Sequence, residues 1–154
     1  MEREQSNYKV MALKYKDDVM KLAAYIPWFE QNSFQNVTTE YTTEGLENTM
    51  SFPVYDGTLL RFVKEAKKTQ FMNRNYPYVY TRNRIKNSTD ELKIIKDAAA
   101  KDFDILAGIL SRYVLLGMTK GTLWNEGTYN GVFLNLILKM KEIVEFWSMD
   151  KINV

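Results

Sequence analysis

The sequence predicts a mainly α single domain over residues 1–154, with about five helices, a central antiparallel helix hairpin in the C-terminal third, and room for a small β element between residues 37 and 82. Three observations carry this. Apolar residues make up 45% of the 154 positions, enough for one globular core. Aromatic residues at 14% argue against disorder along the whole chain. The last third holds two long segments apolar on more than one helical face, which must be central or bury a second face against a partner.

In chain order, the first ten residues are polar and are expected to fray. A helix follows over 15–26, with Asp17 and Asp18 in its opening turn and a stripe of Val19, Leu22, Ala23 and Ile26. Pro27 ends or kinks it, and Trp28 and Phe29 read as a buried anchor at the turn. Residues 32–48 are polar, Thr-rich and acidic, a surface loop or marginal hairpin. Alternation at Val37, Thr39, Tyr41 and Thr43, and again at Met50, Phe52 and Val54, fits two short strands, with Pro53 placing the second at an edge.

Asp56 is a good N-cap for a helix over 57–71 whose apolar face is Leu59, Leu60, Phe62, Val63 and Ala66. Tyr76, Tyr78 and Tyr80 alternate with Pro77, Val79 and Thr81, which predicts an extended segment. Ser88 or Thr89 caps a short helix reaching about residue 99, and the Ser88 to Glu91 spacing matches a capping box. Phe103, Leu106, Leu110 and Tyr113 form one face of a helix over 101–116, Ile105, Ile109 and Leu116 a second, with Gly117 as the stop. The last helix covers 124–147, with Phe133, Ile137, Met140, Val144 and Trp147 in one stripe and Leu134, Leu136, Leu138 and Ile143 beside it.

There is no Cys and no His. Disulfides, thiolate nucleophiles, Cys or His zinc sites, imidazole switching and any Ser-His-Asp or Cys-His arrangement are therefore excluded. Catalysis would have to use carboxylates, Lys, Arg, Tyr, Ser or Thr, and no constellation of these points to a reaction, so no catalytic residue, cofactor or metal site is assigned and the reading leans away from an enzyme. Asp102 and Asp104 stand two positions apart on a helix and so face different ways; Asp102 suits the helix start instead. The opening MEREQSNYKV lacks a secretory pattern, Arg112 and Lys120 interrupt one apolar run, and Lys139 and Lys141 close the other, so a cytoplasmic protein with no membrane partner is expected.

The net charge of +2 hides a polarised chain. Residues 29–60 carry five acids and no base, giving −5, while residues 61–86 carry eight bases against Glu65 alone, giving +7. The basic stretch interleaves aromatic rings. Cations neutralise phosphates and flat faces stack bases, so Lys64, Lys67, Lys68, Arg74, Tyr76, Tyr78, Arg82, Arg84 and Lys86 form a candidate surface for single-stranded nucleic acid or a nucleoprotein. The competing reading makes the lysines a solvated helix face, pairs the basic stretch with the acidic one before it, and half-buries the tyrosines in a sheet. Lys120, Gly121 and Thr122 precede a helix start, where backbone N–H groups can hold an anion, although the G-x-x-x-x-G-K-[ST] pattern is not matched. A Gly-terminated helix followed by a capped one explains the same residues.

Three strings, FPVYDGTLLRFVKEA at 52–66, NRNYPYVYTRNRIK at 73–86 and KDFDILAGILSRYVLLGMTKGTLWNEG at 101–127, together resemble a family of small bacterial proteins classed as a domain of unknown function. The likeness runs over residues 22–147, and GMTKGTLW is its most specific string. What the resemblance implies is a place on mobile elements of Gram-positive bacteria and a role in plasmid or phage biology; it carries over no functional residues. The expected function is a non-enzymatic binding module for nucleic acid or a nucleoprotein. The alternative is a protein interaction module, homodimeric or an inhibitor of a host factor, with a carboxylate-based enzyme third.

Overall fold

The computed structural model describes residues 2–34, 38–41 and 52–149. Over these the chain is mainly α, with eight α-helices: α1 (Glu2–Ala23), α2 (Ile26–Asn32), α3 (Gly57–Lys67), α4 (Tyr76–Arg82), α5 (Ser88–Asp97), α6 (Phe103–Ser111), α7 (Leu123–Tyr129) and α8 (Val132–Trp147). Strands β1 (Thr38–Tyr41) and β2 (Phe52–Tyr55) pair antiparallel, Thr38 opposite Tyr55 and Tyr41 opposite Phe52.

Eight helices replace the expected five or so for three physical reasons. Pro27 lies in the first turn of α2, where its missing N–H costs nothing, so it opens a helix as well as closing one. Asn130 and Gly131 split the expected 124–147 helix into α7 and α8, because Gly131 takes a φ of 80°, a conformation that a side chain disfavours. The tyrosine-rich segment at 76–82, expected to be extended, is helix α4. Pro77 again occupies a first turn, and i,i+4 spacing pairs Tyr76 with Tyr80 and Tyr78 with Arg82. Gly108 of α6 lets α4 come close, since a Cβ there would lie 2.7 Å from Val79 Cγ1.

The core is aromatic at its centre. Phe29, Phe62 and Phe133 are fully buried, with ring centroids 4.8 Å apart between Phe29 and Phe62 and 5.2 Å between Phe62 and Phe133. Tyr113 adds a fourth ring 5.5 Å from Phe133. A second cluster joins Tyr15, Phe71 and Phe103. The apolar faces read on α3, α6 and α8 are largely those that are buried, although Leu60 and Leu138 are exposed.

Helix α8 takes α1 as its most extensive neighbour, with α5, α2, α7 and α6 also packed on it. Most of its two apolar faces is thus used within the chain, Leu138 excepted. Between α6 and α8 there is no short turn: α6 continues into a π-helical turn, Arg112–Leu116, and α7 follows. The expected central hairpin is therefore not confirmed: α6 and α8 do pack on each other, but α8 is paired chiefly with α1. Helix α1 itself opens at Glu2, within the stretch expected to fray, and Tyr8 packs edge-on against Trp147 at 5.1 Å.

Sequence signals at the helix starts are used locally. The Asp56 carboxylate accepts from the Thr58 amide at 2.7 Å, the N-cap expected of it. Gly117 ends the π-helical turn without left-handed backbone; its lack of a side chain makes space for Trp124, whose indole N–H donates to the Val114 carbonyl at 3.2 Å. That contact accounts for the glycine and tryptophan of the GMTKGTLW string.

Candidate functional site

The basic segment 61–86 is positioned by four devices. The connector after α3 is tied down where the Gln70 amide donates to Asp18 Oδ2 and the Asn73 amide to Ser111 Oγ, each at 2.8 Å. Helix α4 leans on α6 through Val79. Its C-terminus is closed by paired bonds from the Arg84 amide to the Thr81 carbonyl and from the Ile85 amide to the Tyr80 carbonyl, a Schellman arrangement that buries Ile85. Glycine usually occupies the left-handed position of that motif, but here it is Arg84, with a φ of 54°. Its conformation costs of order 1–3 kcal/mol that glycine would avoid.

All seven candidate cations, Lys64, Lys67, Lys68, Arg74, Arg82, Arg84 and Lys86, are exposed, and none forms an ion pair with a described residue. The acids Glu30 and Asp56 of the acidic segment do not pair with them; Glu40, Glu44 and Glu47 lie outside the described side chains. Tyr78 is 56% exposed, and Tyr76 is half-buried.

Six of the seven cations divide into three places, and Arg74 lies in the connector between α3 and α4. Lys64, Lys67 and Lys68 end α3. Tyr78 and Arg82 share one face of α4 and line a cleft of about 660 Å³ with Lys101, Asp102 and Asp104. Arg84 lines a shallower continuation with Lys93, Asp90 and Asp97, the two sharing Asn83, Asp102 and Ile105, so they form one groove past the end of α4. Four carboxylates face its four cations. Two of the four are already engaged: Asp102 accepts from the Ala99 amide at 3.0 Å and Asp90 from the Lys86 amide at 2.9 Å. Lys86 lies elsewhere, in a third cleft.

That third cleft holds what the sequence reading missed. Glu91 is 2% exposed, and its two oxygens accept from the Tyr80 hydroxyl at 2.5 Å and the Tyr113 hydroxyl at 2.6 Å. The Arg112 guanidinium lies 3.7 Å from Glu91, with the rings of Tyr80 and Tyr113 each 5.3 Å away. Asn130 donates to the Tyr113 hydroxyl at 3.1 Å. Burial first, then the Glu91 charge and hydrogen bond, holds the Tyr80 phenol far above its ordinary range; burial and the same carboxylate do so for Tyr113.

The expected capping box from Ser88 to Glu91 does not form. Asn87 is the N-cap, its side chain accepting from the Asp90 amide at 2.9 Å, and Glu91 turns inward to the tyrosines instead of back to the helix start. Spacing alone gave no warning, because a glutamate at the third helical position serves a cap equally well. The partners come from α4, read as extended, and from a π-helical turn, a feature frequent at functional sites.

Lys120, Gly121 and Thr122 are exposed in the turn before α7. The Lys120 amide donates to the Leu116 carbonyl at 2.9 Å and the Leu123 amide to the Lys120 carbonyl at 3.1 Å, while Glu126 already supplies negative charge in the first turn of α7. Among the described residues no group of three or more Asp or Glu converges as a metal site, and no helix is long and apolar enough to cross a membrane. Comparison with known proteins finds no family model, curated protein or solved structure that matches the chain.

Proposed function

We propose that the protein is a non-enzymatic binding module that takes single-stranded nucleic acid, bare or within a nucleoprotein, along the groove at the end of α4. The observation that carries this reading is the pairing of the exposed Tyr78 ring with Arg82 on one helix face and in one cleft, with Arg84 next along the groove. A ring to stack a base beside a cation to meet a phosphate is what sequence-tolerant strand binding uses. Keeping arginine at a left-handed position that glycine would occupy more cheaply adds support, since the charge is retained at a cost in stability. The α3 lysines contribute field at longer range, which favours encounter more than grip.

Fluorescence anisotropy with labelled single-stranded oligonucleotides tests it. Affinity is expected to fall with salt at a log-log slope of about −0.7 per phosphate contact. Replacing Arg82 and Arg84 with Gln flattens that slope. Tyr78→Ala weakens binding by about 1–3 kcal/mol and leaves the slope nearly unchanged. No binding at tens of micromolar protein overturns the reading.

A second reading, a protein interaction surface or homodimer, is supported by exposed apolar residues on α1 and α8. Val10 is 62% exposed, Leu13 53% and Phe146 57%. If a second copy covers them, sedimentation velocity resolves a dimer that Phe146→Glu dissociates. A monomer at every concentration removes the homodimer.

A further inference from the structure

We infer that the cleft of about 500 Å³ between α4, α5, the π-helical turn and α7 is a binding site for a phosphate group, separate from the groove at the end of α4. Its lining holds more hydrogen-bond donors than acceptors left to satisfy them. Most of the lining acceptors are used inside the protein: Asn87 Oδ1 by the Asp90 amide and Asn130 Oδ1 by the Val132 amide, each at 2.9 Å, and both Glu91 oxygens by phenol protons, which leaves the Glu126 carboxylate as the exposed acceptor. The donors are left over. The Arg112 guanidinium makes no hydrogen bond to a described residue, and neither do the Lys86 ammonium, the Ser88 hydroxyl and the Asn87 side-chain amide.

Arg112 is also pre-organised. Two tyrosine rings flank it, Glu91 holds it at 3.7 Å without a hydrogen bond, and its side chain is 27% exposed. A held guanidinium fork with its N–H groups unspent suits an oxyanion. Four separate donors around one cleft match the several oxygens of a tetrahedral phosphate better than the two of a planar carboxylate. Two carboxylates face the site. Arg112 and Lys86 balance their charge, Glu91 accepts from two phenols, and Glu126 lies 3.5 Å from the Thr122 hydroxyl, so the site draws an anion by its unspent N–H and O–H donors and not by net charge. The phosphate belongs either to free phosphate or to a nucleotide, whose base has the 54%-exposed ring of Tyr129 at the rim to stack on.

Isothermal titration at fixed ionic strength, with inorganic phosphate and a nucleoside monophosphate as probes and chloride as the control, tests the site. Saturable phosphate binding is expected. Arg112→Gln weakens it about 10-fold or more. Because that change also disturbs Glu91, Lys86→Gln and Ser88→Ala serve as variants outside the buried network, each weakening binding about 2- to 5-fold with the unfolding temperature unchanged. Tighter binding of the monophosphate than of phosphate identifies the nucleotide source, and equal binding identifies free phosphate. Binding of neither probe, or binding unaltered in both Lys86→Gln and Arg112→Gln, overturns the site. Substituting Arg82 and Arg84 leaves phosphate binding intact, so failure here and failure of the strand-binding reading are separate results.

Discussion

Glu91→Ala is expected to destabilise the protein by about 3–5 kcal/mol, because removing one partner of a buried charged network leaves the others desolvated and unpaired. Two phenol hydroxyls and Arg112 depend on this one carboxylate. Loss of a single surface ion pair, such as Lys141 with Glu145, changes stability by about 1 kcal/mol at most. Urea unfolding of the two variants therefore separates a network from a decoration. A Glu91→Ala midpoint as close to wild type as that of Glu145→Ala contradicts the network.

The same network sets an alkaline limit. Both phenols ionise in the fold well above their ordinary value of 10.0, chiefly because they are buried. The unfolded chain therefore releases these protons first. Stability from this pair is complete below pH 10 and is lost as pH rises beyond it. Glu91→Ala relieves only part of that loss, since burial, the larger cause, remains.

Phe133→Ala is expected to cost about 3–5 kcal/mol, the range for deleting a buried aromatic ring that its surroundings cannot refill. The ring touches Phe29, Phe62 and Tyr113, and the backbone of Gly127 comes so close that a Cβ there would lie 2.7 Å from it. Contacts from α2, α3, α7 and the π-helical turn thus meet on one side chain at the start of α8. Phe146→Ala, on the same helix but 57% exposed, shifts stability by about 0.5 kcal/mol or less. Equal urea midpoints for the two variants contradict the placement of the core.

The buried faces of α3, α6 and α8 were legible because 3.6-residue periodicity is a direct record of which side meets the core. Asp56 was legible because an N-cap acts within two residues of itself. What failed was either short or tertiary. Seven residues of α4 are too few for periodicity to outweigh alternation, and a proline such as Pro77 fits an extended segment and a helix start equally well. Asn130 and Gly131 carry a standard turn signal, which the apolar stripe running across them masks in the sequence.

The basic stretch was legible as charge, but its division into three places was not, since the fold sends Lys86 to the Arg112 cleft and Arg82 to the groove. Glu91 was legible only as a cap. Its inward turn depends on Tyr80 and Tyr113, eleven and twenty-two residues away, and no local pattern records such a pairing.

Amide NMR mapping shows whether the groove past α4 is where a strand is held. Titration with an unlabelled single-stranded oligonucleotide at low salt is expected to move the amides of Tyr78, Arg82, Asn83, Arg84 and Lys101 together, saturably, while those around Val10 and Phe146 stay in place. Saturable shifts confined to other surfaces, or none in this groove, contradict it.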